Sequence, residues 1–177
     1  LRACKPAPPP LIFQICYFFR FFQNFQLFFL KKLIENVSSK YEENFLKKNN
    51  INYIQGDVTD ENFISKEIAK GNFDGVYHLA SFVGIKNYIS NPSEVILTTI
   101  QGTLSVARAC IKSNTHMVFT STSEVLGKNS KTPWKEDADR VYGSTSVDRW
   151  SYGSSKGVAE QLIIGLSKST NLSFTII

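Results

Sequence analysis

The first 55 residues of this 177-residue chain hold no glycine; Gly56 is the earliest. Glycine is what lets backbone N–H groups close around a phosphate at a helix N-terminus, so a glycine-rich phosphate loop is excluded from that stretch. Cysteine is scarce: Cys4, Cys16 and Cys110 lie far apart, and His78 and His116 are the only histidines. That set makes neither a disulfide framework nor a zinc site, so no metal is expected and a reducing, cytoplasmic setting is the default. Basic clusters are missing from the body of the chain as well. The net charge of +5 comes wholly from residues 1–50, with eight Lys and Arg against three Glu, and the rest balances twelve against twelve. A neutral body does not suit general nucleic-acid binding, which needs Lys and Arg gathered on a folded face. Methionine occurs once, at Met117, and the chain starts at Leu1 and stops on an apolar strand-like run, so it reads as a fragment.

What is present divides at about residue 36. Residues 1–36 carry eight of the fourteen phenylalanines in LIFQICYFFRFFQNFQLFFLKK, after a KPAPPP run. The length suits a membrane span, but Gln14, Arg20, Gln23, Asn24 and Gln26 interrupt it, and polar groups at bilayer depth are expensive. A secretory signal fits poorly, since the apolar run ends in Arg20 without a small-residue cleavage site. The favoured reading is a leader foreign to the domain that follows, with a membrane anchor as the minority alternative.

From residue 51 the pattern is regular. INYIQGD reads as a strand ending at Gly56 and Asp57, followed by a helix to Lys70 with Thr59 or Asp60 as its N-cap. GNFDGVYHLAS reads as a turn and second strand. Asn91 and Pro92 suit the cap and first position of a helix to about Ser113, in which Ile96, Ile100, Leu104, Ala107 and Ile111 would form one buried stripe. THMVFTSTSEV reads as a third strand, apolar enough to be covered on both faces. A polar loop over 128–149 leads to a helix with Ala159, Leu162, Ile163 and Leu166 on its core side, and LSFTII is a fourth strand. Strands alternating with helices through long connections predict a parallel sheet with helices on both faces. Ligands then sit at the carboxyl ends of the strands.

On the last helix, Tyr152 and Lys156 are four residues apart, one turn, on one face. A phenol ordinarily titrates near about pH 10, so it is a poor base at neutral pH unless a nearby positive charge favours the phenolate. Lysine one turn away can supply that charge. The pair alone says little, because such spacings recur on solvated helices. His78 reads as a core histidine.

GDVTD, VYHLAS, NP followed by a helix and GT, FTSTSEVLG, and RWSYGSSK, in that order and spacing, resemble the extended short-chain dehydrogenase/reductase family over about residues 51–177. The likeness points to its NAD-dependent nucleotide-sugar epimerases, dehydratases and decarboxylases; TSTSEV and RWSY most resemble the enzymes that decarboxylate UDP-glucuronate. The resemblance implies an α/β fold: a partial Rossmann-like, doubly wound parallel sheet over 37–177 with the C-terminal substrate domain absent. It implies that Tyr152 removes the C4 hydroxyl proton of the sugar, that Lys156 binds the nicotinamide ribose and lowers the tyrosine pKa, and that Thr122 steadies the sugar oxygen. Ser123 stands where dehydratases carry an aspartate, and Glu124 would face the sugar carboxylate or an ordered water. Asp57 and Val58 would meet the adenine, and Leu79, Ala80 and Ser81 would line NAD. The expected substrate is a UDP-sugar, and relatives are often homodimers.

The chain departs from that family pattern in the missing first strand and Gly-rich turn, in Leu126 where a tyrosine is usual, and in Thr99 where an asparagine is common. Without the turn there is no cradle for the pyrophosphate. The polypeptide as written is expected to bind NAD poorly. It stands either as part of a nucleotide-sugar enzyme, with UDP-sugar 4-epimerase the alternative subtype, or as a non-catalytic remnant of one.

Overall fold

The computed structural model describes residue 54 and residues 56–71, 73–82 and 85–177. The leader over 1–36 and most of the strand expected from residue 51 lie outside the described residues. Three parallel strands form a sheet in the order β1 (Gly75–His78), β2 (His116–Phe119), β3 (Phe174–Ile176). Val76 pairs with Met117, which pairs with Phe174, and Phe119 pairs with Ile176. Long helical crossovers join the strands, as parallel pairing requires.

Helix α1 (Glu61–Gly71) starts at Asp60, whose carboxylate accepts the Phe63 N–H at 3.0 Å, which settles the choice of cap left open by the sequence. Helix α2 (Ile85–Ser90) is short and was not anticipated. Helix α3 (Pro92–Ser113) begins on Pro92 as expected, but Asn91 makes no side-chain cap bond; its amide donates instead to the Ser90 hydroxyl at 3.3 Å. Asn114 ends α3 in the left-handed conformation, and the Thr115 N–H reaches back to the Cys110 carbonyl at 3.0 Å. Helix α4 (Ser151–Ser169) follows a 3₁₀ turn at Asp148–Trp150.

The core joins Val58, Ile64, Ile68, Val76, Val106, Met117, Phe119, Ala159 and Ile163. Burial alternates along β1 and β2, so one sheet face meets the described helices while Tyr77, His116 and Val118 on the other are half-buried and Thr175 is exposed. The expectation that the third strand is covered on both faces is not met by the described residues.

The stripe expected on α3 is also rotated. Ile96 is 37% exposed, Ile100, Leu104 and Ile111 are only half-buried, and the buried positions are Val95, Thr98, Thr99, Gly102, Thr103, Ser105, Val106, Ala109 and Cys110, with Ala107 shared. α3 runs between α1 and α4, so close approach selects small side chains over large apolar ones. A Cβ on Gly102 would stand 2.8 Å from the Val58 Cγ1. The hydroxyls are buried cheaply because Thr99 and Ser105 donate to the carbonyls of Val95 and Gln101, one turn back. On α4, Ala159 and Ile163 are buried as expected, but so are Ser151, Tyr152, Ser155 and Lys156.

Candidate active site

Beyond their last paired residues, β1 and β2 stay together: Thr120 donates from its N–H at 3.3 Å and from its hydroxyl at 3.2 Å to the His78 carbonyl. This brings Leu79, Ala80 and Ser81 beside Thr120–Glu124 on the carboxyl rim of the sheet. Three residues past the end of β2, the Thr122 hydroxyl accepts the Glu124 N–H at 3.3 Å to start a 3₁₀ turn over Ser123–Leu126. Gly127 closes the turn at φ +60°, a left-handed backbone that glycine adopts without strain.

α4 packs against this rim so tightly that a Cβ on Gly153 would lie 2.6 Å from the Glu124 carbonyl oxygen. That approach delivers both sequence-expected residues. Tyr152 is 7% exposed and Lys156 2%. The Lys156 ammonium donates to the Thr120 carbonyl at 2.6 Å and stands 4.5 Å from the centre of the Phe119 ring. Burial pushes its pKa down to about 8, with the Glu160 carboxylate pulling the other way.

The Tyr152 phenol is pushed up to about 12, first by burial and then by Tyr88 and Glu124, while the Thr122 and Ser81 hydroxyls pull it down. Ser81 Oγ nonetheless completes no hydrogen bond of ordinary geometry; it acts on the phenol by proximity. The expectation that Lys156 lowers the tyrosine pKa therefore meets a difference. The ammonium is engaged at Thr120, and removal of the phenol from water dominates.

Glu124 pairs with Arg149, Nη1 to Oε2 at 2.7 Å. Arg149, exposed Ser123, Glu124, Gly127, Trp134 and Trp150 line a cavity of about 160 Å³. The Arg149 guanidinium stands 5.6 Å from the centre of the Trp150 ring. Arg149, Trp134 and Trp150 were not singled out by sequence, although RWSY carries two of them. The loop over 128–149 is more ordered than its polarity suggests: Trp134 donates to the Asn129 carbonyl at 2.9 Å and Tyr142 to that of Val125 at 2.7 Å. Ser121 donates to Glu160, tying the rim to α4 one turn beyond Lys156.

The residues expected near the adenine behave differently. Asp57 is exposed, and one of its oxygens accepts both the N–H and the hydroxyl of Thr59, at 2.9 and 2.8 Å, shaping the turn into α1. Val58 is fully buried against Gly102, so its side chain lines the core rather than an open groove. His78 is a core residue, its Nε2 3.1 Å from the Thr103 hydroxyl.

A parallel sheet whose carboxyl rim gathers strand-end hydroxyls and a helix-borne tyrosine and lysine defines a Rossmann-like short-chain dehydrogenase/reductase domain. Residues 21–177 match the family described as GDP-mannose 4,6 dehydratase, and the chain belongs to that family; the match begins inside the phenylalanine-rich leader. A UDP-N-acetyl-alpha-D-glucosaminuronate decarboxylase of Bacillus cytotoxicus is 38% identical over 72% of this chain and 38% of its own length. A UDP-glucose 4-epimerase of Caenorhabditis elegans is 29% identical over 64% of this chain and 32% of its own. The chain thus spans well under half the length of these relatives. Among solved structures, a double mutant of the dTDP-glucose 4,6-dehydratase DesIV from Streptomyces venezuelae, with NAD and DAU bound, superposes with a TM-score of 0.75 at 16% identity, covering 93% of this chain and 49% of that one. That likeness carries the fold alone.

Proposed function

We propose that this chain supplies the tyrosine–lysine face of a NAD-dependent nucleotide-sugar enzyme that oxidises the sugar at C4, and that the sugar is a UDP-linked hexuronate destined for decarboxylation. The observation that carries the reading is the Tyr152 phenol held beside Thr122 on the strand rim, with Lys156 one turn away and buried. The decarboxylase relative is the most similar in sequence of those described, and Ser123 lacks the acid that a dehydratase needs to protonate a departing hydroxyl. UDP-glucuronate and its 2-acetamido analogue are the substrates to test; 4-epimerisation is the second reading, supported by the nematode relative.

The nicotinamide half of a dinucleotide suits the donors present: the Lys156 ammonium, the Tyr152 phenol and the unpartnered Ser81 hydroxyl. No residue before Gly56 offers a glycine for the pyrophosphate. When bound, NAD supplies the hydride acceptor. Tyr152 would then take the C4 hydroxyl proton and Thr122 would hold the same oxygen, while Lys156, braced on the Thr120 carbonyl, would offer its ammonium to the nicotinamide ribose. Acids and bases positioned in this way typically contribute about a hundredfold to ten-thousandfold each. A carbonyl at C4 would accept the electron pair of the C5–carboxylate bond as an enolate when carbon dioxide leaves, and C5 would then take up a proton in place of the carboxylate.

The same proposal includes a cytoplasmic homodimer: Ile96 and Leu97 on α3 and Val158 and Ile164 on α4 are exposed apolar residues. Among the described residues no helix is long and apolar enough to cross a membrane. The deciding experiment assays the complete enzyme containing this chain with UDP-glucuronate, its acetamido analogue and UDP-glucose. Carbon dioxide release marks decarboxylation and an inverted C4 hydroxyl marks epimerisation. Absence of both, with NAD present, overturns the reading.

A further inference from the structure

Tyr88 lies on α2, a helix that no sequence signal announced, yet it is one of the most buried aromatics, 5% exposed. Its ring is stacked on that of Tyr152, with centroids 4.8 Å apart and planes 2° from parallel. At that separation the parallel rings are offset, the arrangement aromatic pairs favour. Val95 of α3 and Phe82 close a small apolar cluster around the pair, apart from the main core. α2 packs on both α3 and the 3₁₀ turn that leads into α4, so the stacked ring is carried by a braced element.

The consequence lies in how a tyrosine aims its hydroxyl. Tyr152 belongs to a rigid helix, and only its two side-chain torsions point the phenol at Thr122. A parallel ring against one face restricts the second torsion and keeps water from that face. We propose that Tyr88 is a positioning residue for Tyr152: its stacked ring fixes the plane of the phenol and bars water from one side of it.

This rests on the reading of Tyr152 as the proton-transfer group, but it concerns an arrangement already present in the chain. The groups that bear on the phenol are Tyr88 from α2, Glu124 from the 3₁₀ turn, and the hydroxyls of Thr122 and Ser81. Glu124 is paired with Arg149, and Lys156 with the Thr120 carbonyl.

The test is a ¹³C NMR titration of the 177-residue chain labelled at tyrosine Cζ, with Tyr152 assigned through Tyr152→Phe. In Tyr88→Leu, which has no ring, the Tyr152 midpoint is expected to fall by one pH unit or more from its parent value. In Tyr88→Phe, which keeps the ring, the fall should be smaller, and the Tyr152 ring protons should retain the upfield shift of a stacked pair. In the complete enzyme, Tyr88→Leu should lower kcat about tenfold with KM little changed, and Tyr88→Phe should restore most of it. A parent-like Tyr152 midpoint in a folded Tyr88→Leu chain overturns the proposal. If Tyr88→Leu does not fold, Tyr88→Phe decides: ring shifts like those of an unstacked tyrosine overturn it, and retained shifts support it. The titration reads the phenol whether or not any sugar is turned over, so its failure is distinct from failure of the proposed function.

Discussion

The Lys156 ammonium, 2% exposed, spends its hydrogen bond on the Thr120 backbone carbonyl, 2.6 Å away, rather than on a carboxylate. A buried ammonium hydrogen-bonded to a neutral carbonyl is costly even with the Glu160 carboxylate opposing, and its pKa falls from 10.5 to about 8. Because the folded value lies below the unfolded one, the chain gains stability as pH rises from about 8 to 10.5 and loses it as pH falls through that window. At about 1.4 kcal/mol per unit this amounts to roughly 3 kcal/mol. Lys156→Met, which keeps the stem and removes the charge, should match or exceed the parent in stability at pH 7 and lose that advantage by pH 10.5. Urea midpoints of both proteins across this range check it; a constant difference would sink the assignment. In the complete enzyme the same substitution should lower turnover about a hundredfold to ten-thousandfold.

Gly153 and Gly165 lie on one helix and should respond oppositely to alanine. At Gly153 the added Cβ meets the Glu124 carbonyl at 2.6 Å, backbone against backbone, which cannot rotate away; at Gly165 nothing lies within 4 Å. Gly153→Ala is expected to cost about 1–3 kcal/mol through overpacking, despite alanine's helix preference, and to displace the Thr122–Glu124 turn. Gly165→Ala is expected to stabilise the chain by about 0.5–1 kcal/mol. Thermal unfolding of the two variants beside the parent decides this, and equal shifts of one sign would refute it.

These contrasts mark what the sequence could reveal. The helix start at Thr59 or Asp60, Pro92 and the Tyr152–Lys156 spacing were legible because each acts within one helical turn, where chemistry and position are linked by local geometry. The parallel sheet was legible from the alternation of strand and helix. The buried face of α3 was not: a sequence stripe ranks Ile96 above Thr99 and Gly102, whereas a helix packed between two others is set by how closely backbones approach. Tyr88 was hidden for a related reason. A six-residue helix has too few turns to show a period, and the value of its tyrosine depends on a ring 64 residues away in sequence. Arg149 and Trp134 acquire meaning only once the 128–149 loop folds back over Glu124.

Glu124 and Arg149 offer a test of subtype that barely touches stability. Their side chains are 32% and 40% exposed, and pairs this open contribute between nothing and about 1 kcal/mol. Glu124→Gln should therefore melt within a few degrees of the parent. If the cavity beside Ser123 receives a hexuronate, the same change should slow carbon dioxide release about tenfold to a hundredfold. A variant that melts normally and releases carbon dioxide at the parent rate would remove Glu124 from the chemistry.

His78 should govern the acid limb of stability. The residue is 3% exposed, its Nε2 is hydrogen-bonded to the Thr103 hydroxyl at 3.1 Å, and its Nδ1 has no partner among the described residues. Burial, and secondarily the Lys156 charge, lower its pKa from 6.5 to about 3. The folded chain thus binds this proton less tightly than the unfolded chain does. Stability is fully present above pH 6.5 and falls by about 1.4 kcal/mol per unit as pH drops from there towards 3. By pH 4 the loss from this one group is roughly 3 kcal/mol, a large part of the stability of an ordinary domain. His78→Gln keeps a polar group facing Thr103 but cannot take up the proton. Its urea midpoint should begin below that of the parent at pH 7 and change less between pH 6.5 and 4, so that the two curves converge on acidification. Curves that stay parallel would mean that the imidazole is already charged in the folded chain, or that water reaches it, and the buried neutral histidine would have to be given up.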